Sequence, residues 1–294
     1  MQRSLITVVS RVFVLLTFMA CDNLRREHPG PFDYGQDRGV NTNPELEEAS
    51  GLAASSRYPG CVWTHNDSGH PAELFLLDST AKTIGTWRLT GIRNRDWEDI
   101  AIGPGRDSTR WLYVGDIGDN NSRYPVKIIY CLPEPSLAQQ GEVTVTDTLF
   151  IRLADRTRDT EALLVDPITH NLYLVSKREK KGRVYEVTYP FLADTLVAQH
   201  VLTLPMTRVV AGDISRDGSE ILLKSYEAIY YWKRSVGQSI PDALAMTPTE
   251  LAYEQEPLGE AIAWANDGSC YYTLGENGKG ERSRLYRYPR KVPR

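Results

Sequence analysis

The chain has 294 residues, of which 41% are hydrophobic, 24% charged and 10% aromatic. That is enough apolar mass to bury a sizeable core, and it excludes a disordered chain, a collagen-like fibre and a small disulfide-stapled scaffold. With 34 Lys and Arg against 38 Asp and Glu the formal charge is −4, and no basic run or stripe is present, which argues against nucleic acid as a partner.

Arg3 and Arg11 precede the apolar stretch from Val12 to Ala20, which is too short for a permanent membrane span and ends in a small residue. Residues 1–20 therefore read as a signal peptide. The run Thr17-Phe18-Met19-Ala20-Cys21 resembles the lipobox of bacterial lipoproteins, although Phe18 departs from the usual Leu or Val. That resemblance implies a lipidated Cys21, with the protein held to the cell envelope, on a periplasmic or outer-membrane face. The alternative is an ordinary signal peptide with an incidental cysteine. Residues 21–44 are polar and rich in Asn, Arg, Pro and Gly, as a flexible tether would be, so the folded domain is expected over 45–294. Three further cysteines, Cys61, Cys131 and Cys270, allow at most one internal bridge. No Cys-x-x-Cys or Cys/His cluster suits structural zinc, and buried thiols are the expectation.

Beyond the tether a short signature recurs, usually an acidic or small pair, then Leu or Ile, then Ala. It is found at Ser50-Gly51-Leu52-Ala53, Glu98-Asp99-Ile100-Ala101, Glu161-Ala162-Leu163-Leu164, Gly212-Asp213-Ile214-Ser215 and Glu260-Ala261-Ile262-Ala263. The Leu/Ile anchors are spaced by 48, 63, 51 and 48 residues. After each anchor come a turn, such as Asp166-Pro167, Asp217-Gly218 or Asp267-Gly268, and an apolar strand, such as Trp111–Val114 or Leu172–Val175. A third strand follows in every unit, as in Leu74–Leu77 and Ile229–Trp232, and most units offer a fourth. A period near 50 residues with four strands per unit predicts an all-β fold, a single β-propeller with five countable blades. The spare length in the 63-residue interval also allows a sixth blade, though it reads better as a loop around Pro133 to Gly141. The last unit runs out after three strands, so the segment 33–47 is expected to supply the missing strand and close the ring.

The combination of Glu48–Leu52, His65-Asn66-Asp67-Ser68-Gly69, Asp96–Ala101, Gly115–Asn120 and Gly259–Ala263 resembles a group of largely uncharacterised secreted bacterial β-propeller lipoproteins. More distantly it is similar to the TolB, SMP-30 and phytase-like propellers. The resemblance covers residues 45 to 288 and implies fold rather than chemistry, because such propellers include calcium-dependent lactonases and phytases as well as pure binding proteins.

Innermost propeller strands line a channel, so the repeat predicts which side chains converge at one mouth. One column holds Ser50, Glu98, Glu161, Gly212 and Glu260, with Asp99 and Asp213 one place later and Glu48, Asp96 and Asp159 two places earlier. Strand exits add Asn66, Asp67, Asp116, Asp119, Asn120, Lys177, Lys224 and Glu276. Crowded carboxylates repel unless neutralised, and a hard cation such as calcium would do this with oxygen ligands, for which Asn66, Asp67, Asp116, Asp119 and Asn120 are suited. Lys177 and Lys224 would either pair internally with Glu161 and Asp213 or hold an anionic group of a ligand. Asp99, Asp213, Glu260 and Glu276 complete the expected ligand-binding set. If the mouth is catalytic, Glu98 and Glu161, with Asp213 and Glu260, are the metal ligands or bases, and His65 is an alternative base. Against all of these stands the plain role of Asp and Glu as caps for turns and backbone N–H groups. Three functions remain open: an envelope propeller binding a small-molecule, glycan or protein ligand at an acidic mouth, a metal-dependent hydrolase of lactones or phosphoesters, and a TolB-like protein-interaction scaffold.

Overall fold

The structure is a computed structural model that describes residues 30–106, 109–278 and 280–292. Residues 1–20, Cys21 and the first part of the tether lie outside the described residues. Strand β1 (Gln36–Val40) comes first. Blade 1 contains β2 (Ala49–Ala54), β3 (Val62–Asn66), β4 (Glu73–Leu77) and β5 (Thr83–Leu89). Blade 2 contains β6 (Trp97–Pro104), β7 (Arg110–Asp116), β8 (Lys127–Pro133) and, after the short strand β9 (Gly141–Val143), β10 (Asp147–Leu153). Blade 3 follows with β11 (Thr160–Val165), β12 (Leu172–Ser176), β13 (Arg183–Val187) and β14 (Leu196–Thr203). Blade 4 has β15 (Val209–Ile214), β16 (Glu220–Ser225), β17 (Ile229–Lys233) and β18 (Thr249–Leu251), with a short helix α1 (Ile240–Leu244) before the last. Blade 5 has β19 (Ala261–Trp264), β20 (Cys270–Leu274) and β21 (Arg284–Pro289), and β1 completes it from the other end of the chain.

The five expected blades are therefore present, closed by the N-terminal strand, and among the described residues there is no sixth. Residues 30–44, which composition assigns to a tether, are built into blade 5. Beyond β1 itself, Phe32 is 2% exposed and packs edge-on against Tyr231 and Tyr271. The spare length of the second unit does form a loop, and that loop carries β9 across to pair in parallel with β5 of blade 1. Blades 2 and 3 are also joined at their outer edges by the parallel pairing of β10 with β14.

Within each blade the strands pair antiparallel, and five apolar clusters fill the gaps between blades. Crowding at the axis explains why the inner strands β2, β6, β11, β15 and β19 are rich in Ala, Gly and Ser. Gly51 makes the point: its φ is +72°, and a Cβ there would stand 2.7 Å from the Ile100 amide nitrogen of the next blade. Larger side chains have no room where strands from neighbouring blades approach this closely. The three cysteines within the described residues are free; Cys131 and Cys270 are buried and Cys61 is partly so.

Candidate functional site

Two bulges aim the acids. In β6 the register slips between Trp97 and Asp99, and in β11 between Thr160 and Ala162, so Glu98 and Glu161 are the extra residues. A bulge re-aims a side chain out of the regular alternation. Both glutamates are turned into one cluster at the upper mouth, the end where the inner strands begin. There the carboxylate oxygens of Asp67, Asp96 and Glu98 lie within 4.8 Å of one another, and so do those of Glu98, Asp159 and Glu161. Glu98 belongs to both trios. Room for it comes from Gly118, where a Cβ would stand 2.0 Å from Glu98 Oε1 and 2.7 Å from Asp96 Cγ.

Cations already serve the second trio. Lys177 Nζ donates to Glu161 Oε2 at 2.9 Å and lies 3.5 Å from Glu260 Oε1. Arg178 Nε donates to Asp159 Oδ2 at 2.5 Å. The Tyr226 hydroxyl donates to Glu260 and its ring stacks 5.2 Å from Lys177 Nζ. Glu276 completes the rim beside Glu260, Asp67 and Glu48.

Burial among like charges sets the protonation of these acids. Desolvation is the largest cause throughout, followed for several by repulsion from neighbouring carboxylates. It pushes Glu161 up to about 8 against the opposing pull of Lys177. Glu276 is pushed up to about 8 and Asp67 up to about 6, while Glu98, fully enclosed and beside Glu161, is held well above the usual carboxylate range. Glu161 Oε1 is sealed from water and has no hydrogen-bond donor. Burial and mutual repulsion thus keep a proton on the Glu98–Glu161 pair at neutral pH.

Several expected site residues have other work. Asp99 is wholly buried and its carboxylate accepts from the amides of Ile100, Leu163 and Gly212, tying the inner strands of blades 2, 3 and 4 together. Asp213 accepts from Ile214 and from Trp264 of blade 5. These two are pins between blades. Lys224 is fully buried and pairs neither with Asp213 nor with the mouth; it donates to Tyr253 Oη at 2.8 Å and to the Gly259 carbonyl, with Glu256 Oε2 at 3.5 Å. His65 is buried edge-on against Trp97, with Nδ1 3.0 Å from the Asn66 carbonyl, and burial lowers its pKa to about 4, which keeps it neutral.

The five residues suited to calcium by type are dispersed. Asn66 Oδ1 accepts from Glu47 and Glu48, Asp116 pairs with Arg95 at 2.8 Å, and Asp119 accepts from the Arg123 and Tyr124 amides. Asn120 is exposed at the loop tip. Only Asp67 joins the acidic cluster. Asp96 and Asp159 take the other places, both legible as acids two positions ahead of Glu98 and Glu161. Arg178 and Glu256 were missed: Arg178 is marked only by following Lys177, and Glu256 by nothing in the repeat.

Sequence comparison finds no matching family model and no matching curated protein. Among solved structures, the PQQ-bound form of an aldose sugar dehydrogenase from Streptomyces coelicolor superposes with a TM-score of 0.53 at 11% identity, covering 88% of this chain and 98% of that one. The chain folds as a β-propeller. A gluconolactonase from Xanthomonas campestris gives a TM-score of 0.46 at 11% identity over 87% of this chain and 89% of that one. The nidogen–laminin complex gives 0.46 at 11% over 78% and 73%. At these identities the likeness is one of fold.

Proposed function

We propose that the upper mouth binds a hard divalent cation, calcium by its chemistry, on Asp67, Asp96 and Glu98, and that the cation presents a ligand to the acids behind it. The protein is then a binding propeller of the cell envelope, lipid-anchored through Cys21. The observation that carries this reading is the first trio: three carboxylates with oxygens within 4.8 Å of one another and no lysine or arginine in direct contact with Asp67, Asp96 or Glu98 among the described ion pairs. Oxygen-only donors suit calcium, and a cation there would offset both the burial that chiefly raises Asp67 and the repulsion from Asp96 that adds to it.

A second reading, hydrolysis of a lactone or phosphoester, is favoured by Glu161. Its retained proton stands beside Lys177 in the cluster, where a carboxyl group can protonate a leaving oxygen. A bound cation would supply charge stabilisation there, with Asp67, Asp96 and Glu98 holding it. Glu161 and Glu260, fixed by Lys177 and Tyr226, would orient the substrate.

Thermal melts in EDTA and in calcium, with the native chain and Glu98→Gln, test the shared premise. At a calcium concentration of about 100 times Kd the folded state gains about 2.7 kcal/mol, a rise in midpoint of about 5 °C or more. The rise should vanish in Glu98→Gln. No rise in the native chain, or the same rise in both, overturns the cation site and favours a surface scaffold.

A further inference from the structure

The acidic mouth has a basic neighbour. On the same face, where the β7–β8 loop, the β10–β11 connection and the β12–β13 loop meet, a cleft of about 550 Å³ opens beside Asp159. Arg156, Arg158, Arg178 and Lys180 line it, with only Asp159 and Glu179 against them. Asp159 also belongs to the second acidic trio, so the cleft adjoins the channel.

Its floor is fixed in place. The Arg158 side chain is 3% exposed, and its guanidinium donates to Asp155, Glu179 and the Tyr185 hydroxyl. The Lys177 amide donates to the Asp159 carbonyl at 3.1 Å, which ties two of the loops together, and the Thr207 hydroxyl donates to the Glu179 carbonyl. Three cations stand at the solvent side. Arg178 is 53% exposed on its side chain and spends only Nε on Asp159 among the described hydrogen bonds. Arg156 and Lys180 are exposed, and neither pairs with a carboxylate among the described ion pairs. Both acids of the lining are thus matched, Glu179 by Arg158 and Asp159 by Arg178, and the charges of Arg156 and Lys180 are left over. A cleft with such a surplus of one sign concentrates ions of the other.

We infer that this cleft is an anion subsite, which takes the phosphate or carboxylate group of a small sugar-like ligand. The guanidinium groups of Arg156 and Arg178 can offer N–H donors to an oxyanion, and Lys180 adds a point charge. Ser122 and Thr157 bring hydroxyls to the same cleft, which suit those of a polyol, and its volume falls in the range of about 300–1,000 Å³ typical of small-molecule sites. The subsite is independent of the cation, because the cleft contains none of Asp67, Asp96 and Glu98.

The test is calorimetric titration of the native chain in EDTA with glucose 6-phosphate, with glucuronate and with uncharged glucose. Saturable binding of one molecule per chain is expected for at least one charged probe and not for glucose, and the tighter probe identifies the group as phosphate or carboxylate. Arg156→Gln and Lys180→Gln should each weaken it about tenfold or more, the worth of one charge-assisted hydrogen bond. Both side chains are exposed, so neither change should move the thermal midpoint. Lys233→Gln removes an exposed charge from blade 4, outside the cleft, and should leave affinity unchanged. Absence of saturable binding to both charged probes, equal binding of glucose, undiminished binding in either cleft variant, or an equal loss in Lys233→Gln overturns the subsite.

Discussion

Replacing Lys177 with Met separates the charge of the upper mouth from its packing. Lys177 is 14% exposed on its side chain and lies 2.9 Å from Glu161 and 3.5 Å from Glu260. At neutral pH, where Glu161 keeps its proton, the loss of Lys177 leaves the buried Glu260 carboxylate without its cation, at a cost of about 3 kcal/mol. The pH dependence is more telling. Glu161 has a folded pKa near 8, above its ordinary value, so the folded state holds a proton that the unfolded state has lost, and stability falls as pH rises towards 8 in both proteins. Above about 8 the native chain releases that proton into the pair with Lys177. Lys177→Met has nothing to receive the charge and keeps the proton, so it loses about 1.4 kcal/mol more for each further pH unit. Urea unfolding in EDTA at pH 7 and pH 9 should therefore give a deficit of about 3 kcal/mol rising to about 4.5 kcal/mol. An equal deficit at the two pH values would refute the assignment of the buried proton to the Glu98–Glu161 pair.

Two further substitutions probe the site and the closure of the ring. Gly118→Ala places a methyl group 2.0 Å from Glu98 Oε1, so calcium affinity measured by calorimetry should fall at least tenfold while the midpoint in EDTA moves by only a few degrees; unchanged affinity would mean that Glu98 is not a ligand. Phe32→Ala empties a site walled by Tyr231, Trp264 and Tyr271 at ring distances of 5.9, 5.5 and 5.0 Å. It should cost about 3–5 kcal/mol in urea unfolding, and a loss below about 1 kcal/mol would mean that the segment before β1 is not part of the core.

The fold is legible because the repeat is physical. Leu52, Ile100, Leu163, Ile214 and Ile262 fall on the inner strands β2, β6, β11, β15 and β19, and the Asp-Gly turns at 217–218 and 267–268 place Gly218 and Gly268 at φ +75° and +67°. The site is less legible, since residue type does not say which oxygens the backbone claims. Asp116 and Asp67 look alike in sequence, yet Arg95 neutralises one while the other stands among acids. Bulges matter as much: nothing in Glu98 or Glu161 announces a register slip, and without it they would follow the regular alternation. Lys224 was misplaced for a similar reason, because Glu256 lies in the irregular stretch before β19 and has no counterpart in other blades.

The pairing of β1 with β21 has a consequence for how the protein is made. Arg284 meets Asp37 across 247 residues of sequence, so the first strand to be synthesised waits for the last. Contacts of such long separation slow folding, and the edge of β21 stays open until they form. Blades 1 to 4 can assemble as the chain emerges, but the ring locks only when both ends are present. A chain halted a dozen residues short of Arg294 would lack the whole of β21 and would leave β1 unpartnered, exposing apolar surface to proteolysis or self-association.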